Sequence, residues 1–153
     1  KISIYYYMTL TPPLFPWLNT NECLFDHQWF SNIITDKWSK YTVSGGRVIT
    51  KENIKERCKL HLSHKYFQKA THNTYAYRII TESGAIIEWK NDDWETGAWQ
   101  CILRELQRKN IINIVVVVTR YFGWVQLHAD RFRHVVDATK IFLERSGIEK
   151  KPS

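Results

Sequence analysis

The most constraining feature of the chain is a run of five consecutive apolar, β-branched residues at positions 114–118. Side chains in a strand alternate between two faces, so a run that is apolar at every position presents an apolar surface to both sides. This pattern predicts a strand in the middle of a sheet. The run is far shorter than the roughly 20 apolar residues that a membrane span requires. We therefore expect a globular domain built around one buried strand, without a membrane segment.

The residues before this run predict a strand followed by a helix. The apolar residues of segment 41–49 indicate a strand with an irregularity, a bulge or turn, at Gly45 and Gly46. Thr50 is a suitable N-cap for a helix over residues 51–64, in which apolar residues recur at every fourth position.

A hairpin and two further helices complete the predicted fold. Residues 74–80 and 85–89 are typical of two strands joined by a short turn. Helices are predicted over residues 96–109 and 130–145, with the β-branched run between them. The predicted order is β-α-β-β-α-β-α, which corresponds to a two-layer α+β domain with a four-stranded sheet and its helices on one side.

The first 36 residues differ from the rest of the chain. They contain three of the four prolines, and no helical or strand period persists in them. Their many aromatic side chains would be poorly solvated in isolation, so we expect this arm to dock on the domain or on a partner. The predicted division is an arm over residues 1–36, an α+β domain over 37–148 and a tail over 149–153.

The formal net charge of +7 is unevenly distributed, because residues 1–36 carry −2 and the remainder therefore carries +9. A basic domain fits an anionic partner such as RNA, but most of its cations also fit ordinary solvated helix faces. The RNA-binding candidates are Lys55, Lys59, Arg104, Arg108, Arg131 and Arg133, and Arg57, Lys65, Lys69 and Lys109 share their pattern.

The cysteines and histidines show no metal or disulfide pattern. Three cysteines are too few and too widely spaced for a disulfide framework or a zinc site, which is typical of a reduced compartment. The expected location is the cytoplasm, and no cofactor or metal is expected. His61, His64 and His134 fall on predicted helices without a partner motif and are expected at the surface or at its boundary.

Four segments together resemble the Impact family, also described as the YigZ-type uncharacterised protein family. They are Ala-Thr-His-Asn-Thr-Tyr-Ala-Tyr-Arg-Ile at 70–79, Asp-Asp-Trp-Glu-Thr at 92–96, Val-Val-Val-Val-Thr-Arg-Tyr-Phe-Gly at 115–123 and Leu-His-Ala-Asp-Arg-Phe at 127–132. Ser-Lys-Tyr at 39–41 is similar to the start of the family pattern. The resemblance covers about residues 34–147. This chain has no proline after Glu95 and no Gly-rich stretch near Asp130. In both respects it resembles the eukaryotic members of the family.

The resemblance implies the fold shared by the second domain of a small-subunit ribosomal protein and domain IV of elongation factor G. It also implies a non-enzymatic regulator of translation under stress, which binds the scaffold protein that activates the general-control kinase of initiation factor two. The implied contacts are the loops at 92–95 and 119–124 and the last helix. The partner-binding candidates are His72, Asn73, Asp92, Asp93, Glu95, Thr119, Arg120, Tyr121, Trp124, Asp130 and Arg131.

This chain departs from the family pattern at four positions where that pattern has glycine. The residues present are Trp94, Trp99, Trp124 and His128. Glycine is favoured where the backbone needs a positive φ or a close approach, so a large side chain there either strains the backbone or fills space. These replacements are expected to rebuild the surface of the loops.

Two other interpretations of these residues remain open. A histidine beside several carboxylates can support metal-assisted or acid–base hydrolysis. The simpler interpretation is that Asp92 and Asp93 cap the second long helix, Glu95 complements its dipole and Arg120 pairs with one of the three. The runner-up function is an RNA- or ribosome-binding module that uses the basic face, and a hydrolase is a distant third.

Overall fold

The β-branched run lies in the middle of a five-stranded sheet. The computed structural model describes residues 28–93 and 95–148. The strands are β1 (Gln28–Asp36), β2 (Ser39–Arg47), β3 (His72–Ile80), β4 (Ile86–Asn91) and β5 (Ile114–Tyr121). The helices are α1 (Lys51–Ser63), α2 (Lys65–Gln68), α3 (Ala98–Arg108) and α4 (Asp130–Ser146).

The sheet has the order β1-β2-β5-β3-β4, and all neighbouring strands are antiparallel. In β5, Val118 is opposite Val43 on one side and opposite Thr74 on the other. The α+β class and the central position of this strand are confirmed, but the sheet has five strands rather than four. The additional strand, β1, was predicted to be part of the arm. Its pairing shifts register between Phe30 and Ile34, which removes the regular alternation that identifies a strand in a sequence.

Both faces of β5 are covered, and by different helices. Ile114, Val116 and Val118 lie in a core formed with α3 and α4. Val115 and Val117 lie in a second core on the opposite face, where Ile54 of α1 packs. The prediction that the helices lie on one side is therefore wrong. The physical reason is that residues 114–118 are apolar on both faces of the strand. Helices therefore have to pack on both faces of the sheet.

Glycine in β2 permits a close approach and does not mark a bulge. The strand pairs without interruption with β5 from Lys40 to Arg47. A Cβ on Gly45 would lie 2.2 Å from the carbonyl oxygen of Val115 and 3.1 Å from Cζ of Phe142. The bulge predicted at Gly45 and Gly46 is thus incorrect, and the register shift lies in β1.

The predicted ends of two helices are confirmed. The Thr50 hydroxyl accepts a hydrogen bond from the Asn53 amide at 3.1 Å, and the Asn53 side chain accepts one from the Thr50 amide at 3.2 Å. This reciprocal arrangement is a capping box, and it begins α1. Near the C-terminal end of the described residues, Gly147 has a φ of 74° and ends α4.

Two of the three helix histidines are buried, contrary to prediction. His61 is 2% exposed and stacks on Phe67 with a centroid distance of 3.6 Å. Its burial lowers its pKa from 6.5 to about 3. Nε2 of His134 lies 2.8 Å from a carboxylate oxygen of Asp36, which joins α4 to the end of β1 and lowers the pKa of Asp36. His64 lies at the boundary, as predicted, and its Nδ1 accepts from the Tyr66 amide.

The two cysteines among the described residues pack against the two cores. Cys58 packs partly buried against the core under α1, and Cys101 packs partly buried against the core under α3. Burial raises the pKa of the Cys58 thiol to about 11. Among the described helices, none combines the length and the apolar character that crossing a membrane requires.

Acidification is expected to destabilise the fold through His61. Above pH 6.5 this histidine is neutral in both states, whereas below that value the unfolded chain binds a proton that the folded chain, with a pKa of about 3, does not. The free energy of unfolding should therefore fall by about 1.4 kcal/mol per pH unit between about pH 6 and pH 4 through this residue alone.

Denaturant unfolding at a series of pH values gives the free energy of unfolding as a function of pH. The contribution of His61 is the difference between the slopes of this dependence for the wild type and for His61→Gln. The matched control is His128→Asn, since His128 is exposed and asparagine tolerates its positive φ of 50°. Equal slopes for wild type and His61→Gln would show that His61 is accessible to protons in the folded state.

Candidate functional site

The structure brings most of the predicted site residues to one end of the sheet. His72 and Asn73, at the start of β3, are opposite Arg120 and Thr119, near the end of β5. The loop that precedes α3 packs against the same end. Topology explains the proximity, because β3 and β5 are antiparallel neighbours and the start of one meets the end of the other.

Strand alternation divides this group between the two faces of the sheet. Arg120 follows the even-numbered positions of β5 toward α3 and α4, and Thr119 follows the odd-numbered positions toward α1 and α2. His72 and Asn73 are divided in the same way. The sequence group is therefore two local networks on opposite faces.

A buried ion pair is the centre of the first network. Nη1 of Arg120 donates to Oε1 of Glu95, and their side chains are only 6% and 3% exposed. The backbone of Glu95 is also held, since its amide donates to the carbonyl of Asp92 and its carbonyl accepts from the amide of Ala98, both at 3.0 Å. The pair thus joins the loop before α3 to the central strand. The predicted pairing of Arg120 with one of the three carboxylates is confirmed.

Asp92 and Asp93 brace β3 and do not cap α3. The Asp93 carboxylate accepts from the Asn73 amide at 2.7 Å, and the Asp92 carbonyl accepts from the Thr74 hydroxyl at 2.9 Å. Helix α3 begins after Gly97, which has a φ of 85°, without a side-chain cap. The capping prediction is wrong because four further residues separate Asp93 from Ala98, where the helix starts, and the predicted helix began too early.

His72, the histidine considered for hydrolysis, hydrogen-bonds a main-chain carbonyl and not a carboxylate. Nδ1 of His72 lies 2.7 Å from the main-chain carbonyl of Asp93, so its hydrogen bond goes to the backbone. Within residues 28–93 and 95–148, no group of three or more histidine, cysteine, aspartate or glutamate side chains is placed to hold a metal ion. The hydrogen bond of His72 instead holds the loop before α3 in position.

The second network lies between β3, β5 and α2. The Asn73 side chain accepts from the Thr119 hydroxyl at 2.8 Å and donates to the Phe67 carbonyl at 2.9 Å. Tyr121 packs on Tyr66 with a centroid distance of 5.1 Å, and burial raises its pKa to about 12. These contacts hold α2 against the end of the sheet.

Burial decides which predicted partner-binding residues can touch a partner. Trp124 is 90% exposed. Four residues are buried and can act only through their neighbours, namely Asn73, Glu95, Thr119 and Arg120. The remaining six are half-buried, namely His72, Asp92, Asp93, Tyr121, Asp130 and Arg131.

The departures from the family glycines differ in their structural consequences. Trp124 and His128 have positive φ values of 67° and 50°, the backbone conformation that favours glycine. Trp99 lies within α3 without such a φ, and Nζ of Lys90 lies 3.6 Å from its ring centroid. Trp94 lies outside the described residues. Strain is thus present at two of the three described positions.

The sequence missed a further aromatic residue beside the 119–124 loop. Trp38 is 78% exposed and lies in the β1–β2 turn. Gly123 packs so closely on this turn that a Cβ on it would lie 2.2 Å from the main-chain carbon of Trp38. The Gly123 amide also donates to the Ser39 hydroxyl at 3.0 Å. Recognition of β1 as a strand would have placed Trp38 in a hairpin turn.

The RNA-binding candidates do not form one basic face. Lys55 and Lys59 are exposed on α1, whereas the other four candidates lie on α3 and α4, across the sheet. Two of those four have acidic neighbours, since Arg108 pairs with Glu105 at 2.7 Å and Arg133 with Asp130 at 3.6 Å. Arg57, predicted on a solvated face, is only 3% exposed. The basic face expected from the sequence is therefore divided by the sheet.

Comparison with known proteins identifies the family. The model of the Impact N-terminal domain matches residues 37–143. The chain belongs to the Impact N-terminal domain family. A Protein IMPACT homolog from Dictyostelium discoideum is 37% identical over 110 residues, which are 72% of this chain and 32% of that protein. The Caenorhabditis elegans homolog is 33% identical over 124 residues, 79% of this chain and 48% of that protein. The chain thus spans between a third and a half of the length of these relatives.

Solved structures support the same assignment. The structure of the two-domain translational regulator Yih1 is similar to this domain with a TM-score of 0.53 and 27% identity, over 80% of this chain and 48% of that one. A hypothetical protein has a TM-score of 0.66 at 17% identity, over 76% of this chain and 57% of that one, which is a likeness of fold. The positive φ values of Trp124 and His128 agree with glycine at these positions of the family pattern.

Breaking the buried ion pair is expected to be costly. Glu95→Gln leaves the Arg120 guanidinium buried without a counter-charge, so the free energy of unfolding should fall by about 3–5 kcal/mol. The double variant Glu95→Gln/Arg120→Gln removes both charges and should recover a large part of that loss. Denaturant unfolding of the single and double variants measures the coupling.

The matched control for this cycle is Asp130→Asn, which breaks the exposed pair with Arg133. Its cost should be no more than about 1 kcal/mol. Similar costs for Glu95→Gln and Asp130→Asn would show that the Glu95 pair is solvated and does not join the loop to the sheet.

Restoring the family glycine should stabilise the domain. At a φ of 67°, Trp124 carries a left-handed strain that glycine does not, and the gain is reduced by the greater freedom of glycine in the unfolded chain. We expect Trp124→Gly to raise the free energy of unfolding by about 0.5–1 kcal/mol. Trp124→Ala retains the strain and serves as the control in the same thermal or denaturant measurement. Equal stabilities of the two variants would contradict a strained backbone at this position.

Proposed function

We propose that this chain is the Impact domain of a cytoplasmic, non-enzymatic regulator of translation under stress. In this role it binds the scaffold protein that activates the general-control kinase of initiation factor two, and so restrains that kinase. Membership of the Impact N-terminal domain family and the likeness to the translational regulator Yih1 support the proposal. Both findings support a role in translational regulation.

The buried pair of Arg120 and Glu95 is the observation that carries the proposal. An enzyme needs its charged groups where substrate can reach them. Here Arg120 and Glu95 have side chains that are only 6% and 3% exposed, and they pair with each other. Their effect is to hold the adjoining loops in one conformation, and a pre-organised surface lowers the entropic cost of binding a protein partner.

The surface available for this contact lies around the start of α4 and the preceding loop. Asp130 retains 47% exposure of its side chain although it pairs with Arg133. Leu127 is 2% exposed and holds the preceding loop on the core. Charged residues on a fixed loop next to a helix start can specify the register of a partner without contributing most of its affinity.

Affinity purification tests this proposal. The tagged chain is incubated with nuclease-treated extract of starved eukaryotic cells, and bound proteins are identified by mass spectrometry. We expect the scaffold protein to be recovered, and recovery to fall at least fivefold for the charge reversal Asp130→Lys, in the range reported for interface charge pairs. Phosphorylation of initiation factor two in cells that overproduce the chain is the second measurement, and it should fall.

Lys51→Glu is the matched control for the purification. Lys51 is exposed at the start of α1, on the opposite side of the sheet, so its charge reversal should leave recovery unchanged. Recovery of RNA before nuclease treatment, with no scaffold protein after it, would overturn the proposed function.

A further inference from the structure

Two exposed indoles lie on segments that touch each other. Trp38 occupies the β1–β2 turn and Trp124 follows Gly123 in the loop after β5, and Gly123 packs directly on the turn. The two indoles are 78% and 90% exposed. We name Trp38 and Trp124 the indole platform. A pair of nearly free indoles at one place on a surface is unusual, because large apolar patches normally mark an interaction site.

Backbone strain is concentrated at the same place. Lys37 and Trp38 have φ values of 45° and 70°, and Trp124 has a φ of 67°. Asp36 is opposite Ser39, so the β1–β2 turn has two central residues, both with positive φ, a conformation normally given to Asn-Gly or Gly-Gly. Strained non-glycine residues persist where the surrounding structure holds them, and they cluster at binding sites. Here the strain presents two indoles to solvent.

Positive charge surrounds the indole platform. Lys37 precedes Trp38 in the turn, and Lys40 begins β2 opposite Tyr121; both lysines are exposed. The two nearest acidic groups in sequence are held by contacts elsewhere, since Asp36 hydrogen-bonds His134 and Asp130 pairs with Arg133. The exposed charged side chains next to Trp38 are therefore the two lysines.

Exposed indoles with flanking lysines fit single-stranded RNA better than a protein. An indole that anchors a protein partner sits among packed neighbours that exclude water. The platform instead offers largely exposed rings beside two lysines, and the ring centroid of Phe122 lies 5.7 Å from that of Trp124. Single-stranded RNA fits this pattern because it combines unstacked bases with phosphates. We propose that the indole platform binds single-stranded RNA, with bases stacked on Trp38 and Trp124 and the phosphates near Lys37 and Lys40. Trp124 lies in the loop before α4 that is also proposed for the scaffold contact, and RNA binding is tested without the scaffold protein.

Fluorescence anisotropy with the purified full chain tests the proposal. The probes are a labelled oligouridylate of about 8 nucleotides and an RNA duplex of the same length. We expect the single strand to bind more tightly than the duplex, and binding to weaken as salt rises from about 50 to 200 mM. Trp38→Gly and Trp124→Gly should each weaken single-strand binding by at least about fivefold, the equivalent of ~1 kcal/mol for one stacked base.

The glycine variants are chosen because both positions have a left-handed backbone, so each substitution relieves strain and the fold is retained. Trp89→Gly is the matched control, since Trp89 is 61% exposed on β4, away from the indole platform, and its loss should leave affinity unchanged. Lys37→Glu should lower the salt slope by about one.

Three outcomes would overturn the proposal. They are tighter binding of the duplex, an equal effect of Trp89→Gly and Trp124→Gly, and the absence of binding at low salt. Each can occur whether or not the scaffold protein is recovered from extract, because the anisotropy measurement contains only the chain and RNA. Failure of this inference is thus distinguishable from failure of the proposed function.

Discussion

The rest of the structure depends on the need to cover both faces of β5. Its five consecutive β-branched residues place apolar side chains above and below the sheet. Strands β2 and β3 pair on either side of it, α3 and α4 cover one face, and α1 covers the other. Because the burial of apolar area is the main favourable term in folding, this one strand determines where the helices lie.

The loops at the end of β5 are ordered by a charged pair that folding has removed from water. Arg120 and Glu95 are worth little as a source of stability, since the cost of desolvating two charges offsets much of their attraction. Their value is specificity, because both side chains are buried and a displaced loop would leave each charge without its partner. The pair therefore selects one arrangement of the loop before α3. The surface next to this loop is held in a fixed conformation as a result.

Local patterns predicted the elements well, and they predicted long-range pairing poorly. The capping box at Thr50 and the end of α4 at Gly147 could be read from neighbouring residues, since a cap involves contacts only a few positions apart. Strand β1 was missed because its alternation is broken, and Asp92 and Asp93 were assigned to a helix cap because an aspartate before a helix is usually one. His61 appeared polar in sequence, yet its burial depends on Phe67, Ser44 and the sheet beneath them.

The sequence by itself determined the buried strand, the order of most elements and the family, because each depends on residue type at short spacing. Only the tertiary structure decided that the predicted site is divided between two faces and that the basic face is not continuous. Strand alternation separates neighbours in the chain, such as Thr119 and Arg120, by the thickness of the sheet. The tertiary structure also decided that Trp38 and Trp124, 86 positions apart in the sequence, lie on touching segments. Only the close packing of Gly123 on the β1–β2 turn brings these segments together.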